Sequence, residues 1–304
     1  MTDYLTVDAA LEYGLKAATK FGAEQVEGYC IKAKQMTLSV EKNIPRLEAG
    51  INSGVNFRVV KENNLGFGFT RTLTKERIDS TIKTAIQNAK SKGKDPDFKS
   101  LPQPSKKPVT ELPFDKKLEN ITSDSLAKEF TMMIQEINDV KGLHYLQGQL
   151  FYQVVEDQLV NSNGITIKEK AGGIGGFASA ITTKGLIPNY SFEIKGGRSL
   201  DAFNFQELTK ETIHETLRAA GPKTMNFEKE VPIILEPDAS AGLLGGLFRI
   251  LINQLQGNVV ATGATPFSDQ VGNQVATEQF SFIDNGAVSY THLRAHETVL
   301  DLVC

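Results

Sequence analysis

The densest set of candidate metal ligands in this 304-residue sequence is His292-x-x-x-His296-Glu297. Two histidines four apart share one face of a helix, and a glutamate beside them would complete a zinc-hydrolase arrangement. The surrounding residues argue otherwise. Val288–Cys304 back-translates into DNA resembling a transposase-based sequencing adapter, so 288–304 is expected to be read-through, with the natural frame cut off near Ala287. Without it the histidines are His144 and His214, and the only cysteine is Cys30. Neither histidine has a companion ligand at useful spacing, so both read as surface or capping residues, and no Ser-His-Asp arrangement can be built from them. Cys30 sits in an apolar run with no cationic neighbour to stabilise a thiolate, which points to a buried, inert thiol. Gly173-Ile174-Gly175-Gly176-Phe177-Ala178 matches a relaxed dinucleotide fingerprint, but that chemistry needs a helix opening behind the glycines. Ala178 to Thr183 instead alternates with β-branched residues, the pattern of a strand whose glycines permit a twist or bulge.

Composition bounds the remaining possibilities. A hydrophobic share of 40% with 23% charged residues is that of a water-soluble globular chain, and no long uncharged apolar run marks a membrane span. The first residues lack the basic and apolar regions of a signal peptide, so a cytoplasmic location is expected, in keeping with a lone cysteine. The net charge is −3, or −2 with 32 basic and 34 acidic residues once 288–304 is set aside, which argues against a broad phosphate-binding surface and against nucleic acid as a partner.

The elements that would position any site follow an α+β pattern. Residues 1–91 read as a first domain: a helix over Val7–Phe21, short strands at Val26–Ala33, Met36–Glu41, Ile44–Ala49, Val55–Val60 and Leu65–Thr70, then a helix capped by Thr74. Turns are expected at Asn52-Ser53-Gly54 and Asn63-Asn64. Residues 92–113, rich in proline and lysine with acids interleaved, read as a semi-rigid solvated spacer. Residues 114–226 read as a second α+β domain, with a helix capped at Thr122 or Ser123 that buries Leu126, Phe130, Met133, Ile134 and Ile137. Strands follow at Leu146–Val155, Gln158–Ser162, Ile165–Lys170, Ile174–Thr183 and Leu186–Ile194, with a hairpin turn at Asn163-Gly164. A helix over about Glu207–Ala220 closes this part. The fold class is thus antiparallel sheets with flanking helices in two N-terminal units, followed by a truncated, β-rich C-terminal domain over 227–287.

That last domain opens on a distinctive stretch. Val231–Leu235 reads as a buried strand broken by Glu236-Pro237-Asp238. Leu243, Leu244, Leu247, Phe248, Leu251, Ile252 and Leu255 then mark the apolar face of a helix that must pack in a core, with Asp238 as its expected N-cap and Gly257 as a left-handed stop. Thr265-Pro266-Phe267, Val271-Gly272-Asn273-Gln274-Val275-Ala276 and Phe282-Ile283-Asp284-Asn285 come next. In this order the features resemble the TldD/PmbA family, the modulator of DNA gyrase proteins, over nearly all of residues 1–286.

The resemblance implies a heterodimeric zinc peptidase with one metal-bearing and one metal-free subunit. In the metal-bearing subunit the helix start carries His-Glu-x-x-x-His, and those three positions fall here on Pro237, Asp238 and Gly242. Proline and glycine side chains hold no ligand atom, so no zinc and no catalytic residue is expected in this chain. The resemblance therefore implies a PmbA/TldE-like subunit whose TldD-like partner carries the zinc, acting on extended peptide. Two other readings remain open at this point: a non-proteolytic peptide-binding regulator of toxin–antitoxin or gyrase-modulator type, and a self-sufficient metallopeptidase.

Overall fold

The computed structural model describes residues 4–41, 44–91, 98–104, 114–185, 188–221 and 230–279. Two compact units divide at Pro222 and Lys223. The first is built on one antiparallel sheet in the order β3-β2-β1-β4-β5-β6. Its strands are β1 (Gln25–Glu41), β2 (Ile44–Lys61), β3 (Asn64–Thr70), β4 (Leu143–Asn161), β5 (Thr166–Thr182) and β6 (Asn189–Gly197). Because β1 and β4 pair from Glu27–Asn161 to Val40–Gly148, the strands of residues 1–91 and those of 114–221 lie edge to edge in a single sheet.

The helices are α1 (Val7–Lys20), α2 (Lys75–Ser91), α3 (Ser123–Asp139) and α4 (Phe205–Arg218). All four are amphipathic and lay their apolar stripes on one face of the sheet. Thr6, Thr122 and Asn204 accept from free first-turn N–H groups of α1, α3 and α4, and Thr122 with Ser125 forms a reciprocal capping box. Two adjoining cores result. Beneath α1 and α2 lie Val26, Cys30, Val55, Phe57 and Val59; beneath α3 and α4 lie Met36, Leu38, Leu150, Tyr152 and Ile174. The register explains why both cores share a face, since Cys30 pairs with Val55 and Met36 with Tyr152, and paired residues point the same way. At Gly66 an added Cβ would stand 1.9 Å from the Ala85 carbonyl oxygen, so α2 can approach β3 this closely only over glycine.

Several local expectations are corrected. The ten short strands are six, five of them joined from pairs or lengthened, and Asn52-Ser53-Gly54 lies inside β2, facing Ala33 to Ile31 across the ladder. A ladder that long supplies more pairing than three turn-forming residues can oppose. The β2–β3 turn sits on Glu62 and Asn63, at φ of 55° and 60°, one residue earlier than expected. The Asn163-Gly164 hairpin forms as expected, with Gly164 at φ 96° and the Asn161 carboxamide oxygen accepting from the Asn163 and Ile165 amides. Part of the expected spacer is docked rather than solvated: Leu101 is buried, the Gln25 side chain accepts from its amide at 2.8 Å, and the Asn163 carboxamide donates to its carbonyl at 2.8 Å.

The second unit is described over 230–279. It holds α5 (Pro237–Gln254) and α6 (Gly257–Ala261), and no strand among its described residues. Val231–Leu235, expected as a buried strand, is irregular and exposed, with Ile234 94% accessible, since no partner strand stands beside it among the described residues. Gly257, expected to stop the helix in a left-handed conformation, instead opens α6. The stop is made by a Leu255 amide that donates to the carbonyls of Leu251 and Ile252. The segment from Val288 to Cys304, with His292, His296 and Glu297, lies outside the described residues.

Candidate functional site

The start of α5 holds the three positions singled out in the sequence. Glu236 occupies the N-cap with φ −66° and ψ 159° and makes no side-chain cap bond, while Pro237 takes the first helical position, where a missing N–H costs nothing. Asp238 is therefore inside the first turn rather than at the cap. The Ser240 amide donates to the Glu236 carbonyl at 2.9 Å, closing that turn. Gly242 lies one turn further on, and a Cβ added to it would meet nothing within 4 Å. On a regular helix five steps of about 100° carry a residue well past the starting face, so positions 237 and 242 do not point together.

The donor chemistry at these positions does not fit a metal. A zinc site needs three or four nitrogen, sulfur or carboxylate donors, and proline and glycine contribute none, which leaves Asp238 as the only candidate donor of the three. Among the described residues no group of three or more His, Cys, Asp or Glu side chains is placed to hold a metal ion.

The remaining candidates are dispersed. Cys30 is fully buried in the core under α1 and α2, and burial pushes its thiol up to about 11. His144 is exposed on β4, not in the connection before it, and His214 lies on the outer side of α4 with Nδ1 2.9 Å from Glu215 Oε1. Residues 173–178 run within β5, with no helix behind them; a Cβ at Gly176 would stand 2.4 Å from Leu150 Cδ2, so these glycines admit neighbouring side chains rather than phosphate.

One cluster escaped sequence reading. On the sheet face away from the helices, Glu27 and Tyr29 of β1, Asn56 and Arg58 of β2 and Phe67 of β3 line a pocket of about 120 Å³. Arg58 Nη2 meets Glu27 Oε1 at 2.8 Å, and the Tyr29 hydroxyl donates to Asp157 Oδ2 at 3.1 Å. Burial first, and the Asp157 carboxylate second, push the Tyr29 phenol up to about 12. Tyr29 and Asp157 are far apart in the chain and meet only through the β1–β4 register, so no local spacing could have announced them.

With this geometry in hand, comparison with known proteins decides the family. The profile of the PmbA/TldA metallopeptidase domain 1 matches residues 26–89, and that of the PmbA/TldA metallopeptidase C-terminal domain matches 228–296. The chain belongs to the PmbA/TldD family. The second match runs beyond Ala287, the expected end of the natural frame. An uncharacterized protein of Methanocaldococcus jannaschii is 21% identical over 281 residues, covering 92% of this chain and 62% of its own length. The crystal structure of TldE from Thermococcus kodakarensis superposes with a TM-score of 0.70 at 20% identity, covering 86% of this chain and 58% of the other. A Bacteroides thetaiotaomicron structure, described as a candidate modulator of DNA gyrase, gives 0.69 at 15% identity, covering 90% of this chain and 62% of its own. The chain thus spans about three-fifths of the length of these relatives. At these identities the structures show a shared fold, and the family's α+β architecture is that of the sheet and helices described above. No helix among the described residues is long and apolar enough to cross a membrane.

Proposed function

We propose that this chain is a PmbA/TldE-like subunit of a TldD/TldE-type zinc metallopeptidase, itself without a metal site, whose partner is a TldD-like chain bearing the zinc. What supports the reading is the residue set at the start of α5: by the resemblance, Pro237 and Gly242 fall on the positions where the metal-bearing subunit carries histidines, and neither side chain holds a ligand atom. The zinc, held by the partner, supplies Lewis-acid activation of water. The present chain contributes fold and surface, completing an enclosure that admits extended peptide in the cytoplasm and excludes folded protein.

The test uses the purified chain alone and mixed with a TldD-like subunit, with zinc measured by mass spectrometry and cleavage followed on an unfolded peptide. The expected outcome is no stoichiometric zinc and no cleavage until the partner is added. Stoichiometric zinc or turnover by this chain alone would overturn the reading in favour of a self-sufficient peptidase. Capture of an intact client without cleavage, with or without the partner, would favour the non-proteolytic regulator.

A further inference from the structure

Strand register builds the pocket on the sheet face away from the helices. Glu27 faces Arg58 and Tyr29 faces Asn56 across β1 and β2, while Arg58 faces Phe67 across β2 and β3. Neighbouring strands run about 4.8 Å apart, so the Tyr29 and Phe67 rings rise from backbones about 10 Å apart, with Asn56 and Arg58 as the floor between them. Less the thickness of the two rings, a gap of that width admits one flat group. The Tyr29 hydroxyl is tied to Asp157 at 3.1 Å, which fixes one wall.

The polar groups of this slot are unevenly satisfied. Glu27 is only 9% exposed, and Arg58 neutralises its carboxylate. A guanidinium offers five N–H groups, yet Glu27 is the only partner of Arg58 among the described residues, and Arg58 Nε is buried without an acceptor. Asn56, beside it on the floor, has no hydrogen-bond partner among the described residues. Enclosed donors normally find acceptors, so a floor with this surplus of N–H groups calls for a ligand that accepts. The charges lining the slot, one carboxylate and one guanidinium, cancel. A further carboxylate would be repelled by Glu27 and by the Asp157 bonded to Tyr29, whereas a cation would bring only donors to a floor that lacks acceptors.

We propose that this slot binds a small, uncharged, planar carbonyl compound of the aromatic carboxamide class, its ring between Phe67 and Tyr29 and its carbonyl oxygen accepting from Arg58 and Asn56. A volume of about 120 Å³ suits a single ring with its amide. Ring contact supplies the buried area, and the hydrogen bonds fix the orientation. The site lies wholly within the sheet-bearing unit and does not depend on the subunit reading.

The experiment titrates the full chain with benzamide, benzoate and benzamidine, which share one ring and one size and differ in charge and in acceptors, and follows binding by NMR. Benzamide is expected to saturate with a Kd on the order of 1 mM, and the other two to bind at least about tenfold more weakly. Phe67→Leu, which removes a ring wall that is 47% exposed, and Arg58→Lys, which keeps the charge and loses the planar fork, are each expected to weaken benzamide about tenfold. Phe192→Leu, on β6 and three strands beyond β1, is expected to leave binding unchanged. All variants are first checked for an unaltered thermal transition; should Arg58→Lys fail to fold, Phe67→Leu carries the test. Absence of saturation by benzamide, benzoate or benzamidine binding as tightly as benzamide, or unchanged benzamide binding by Phe67→Leu would each overturn the proposal.

Discussion

Helices α3 and α5, of 17 and 18 residues, both carry apolar residues at helical spacing, yet their surroundings differ sharply. Leu126, Phe130, Met133 and Ile137 of α3 are at most 2% exposed, whereas Leu243, Leu247 and Ile250 of α5 are 57%, 51% and 61% exposed. The first helix faces a sheet whose own apolar residues sit in register beneath it. Within its own unit the second has only the short α6 and irregular chain among the described residues. A stripe of leucines thus states a demand for burial, and a facing surface decides whether that demand is met. An apolar face left uncovered among the described residues is the mark of a surface to which something else packs.

The comparison can be broken by mutation. Phe130→Ala removes a ring that is 2% exposed in the core under α3 and is expected to cost about 3–5 kcal/mol in urea denaturation. Gly66→Ala should follow with a loss of about 1–3 kcal/mol, since the added methyl must push α2 away from β3. Leu247→Ala, by the same measurement on the same 304-residue chain, is expected to change stability by no more than about 0.5 kcal/mol. A cost for Leu247→Ala comparable to that of Phe130→Ala would show that α5 is packed in solution and would erase the contrast.

Much of the sheet-bearing unit was legible locally. The helix starts at Thr74 and Thr122 and the Asn163-Gly164 turn follow from side-chain oxygens and glycine acting on adjacent backbone, so residue type alone locates them. Strand lengths were not legible. Asn52-Ser53-Gly54 has the chemistry of a turn, yet the neighbouring β1 ladder holds it extended, an interaction between residues about twenty apart. The exposure of Val231–Leu235 was unreadable for the same kind of reason: an apolar run has the same composition whether or not a partner strand exists.

The candidate site divides along the same line. That Pro237 and Gly242 hold no ligand atom is a property of the residues themselves and needs no coordinates. The Glu27–Arg58 and Tyr29–Asp157 pairs, by contrast, depend on register between strands distant in sequence, and the edge that β2 leaves open before Val55 depends on where β3 happens to end. Covalent identity therefore settled that Pro237 and Gly242 offer no metal ligand, caps and hairpin glycines settled where several elements begin and turn, and only long-range strand pairing decided which side chains meet and which backbone groups are left to bind something else.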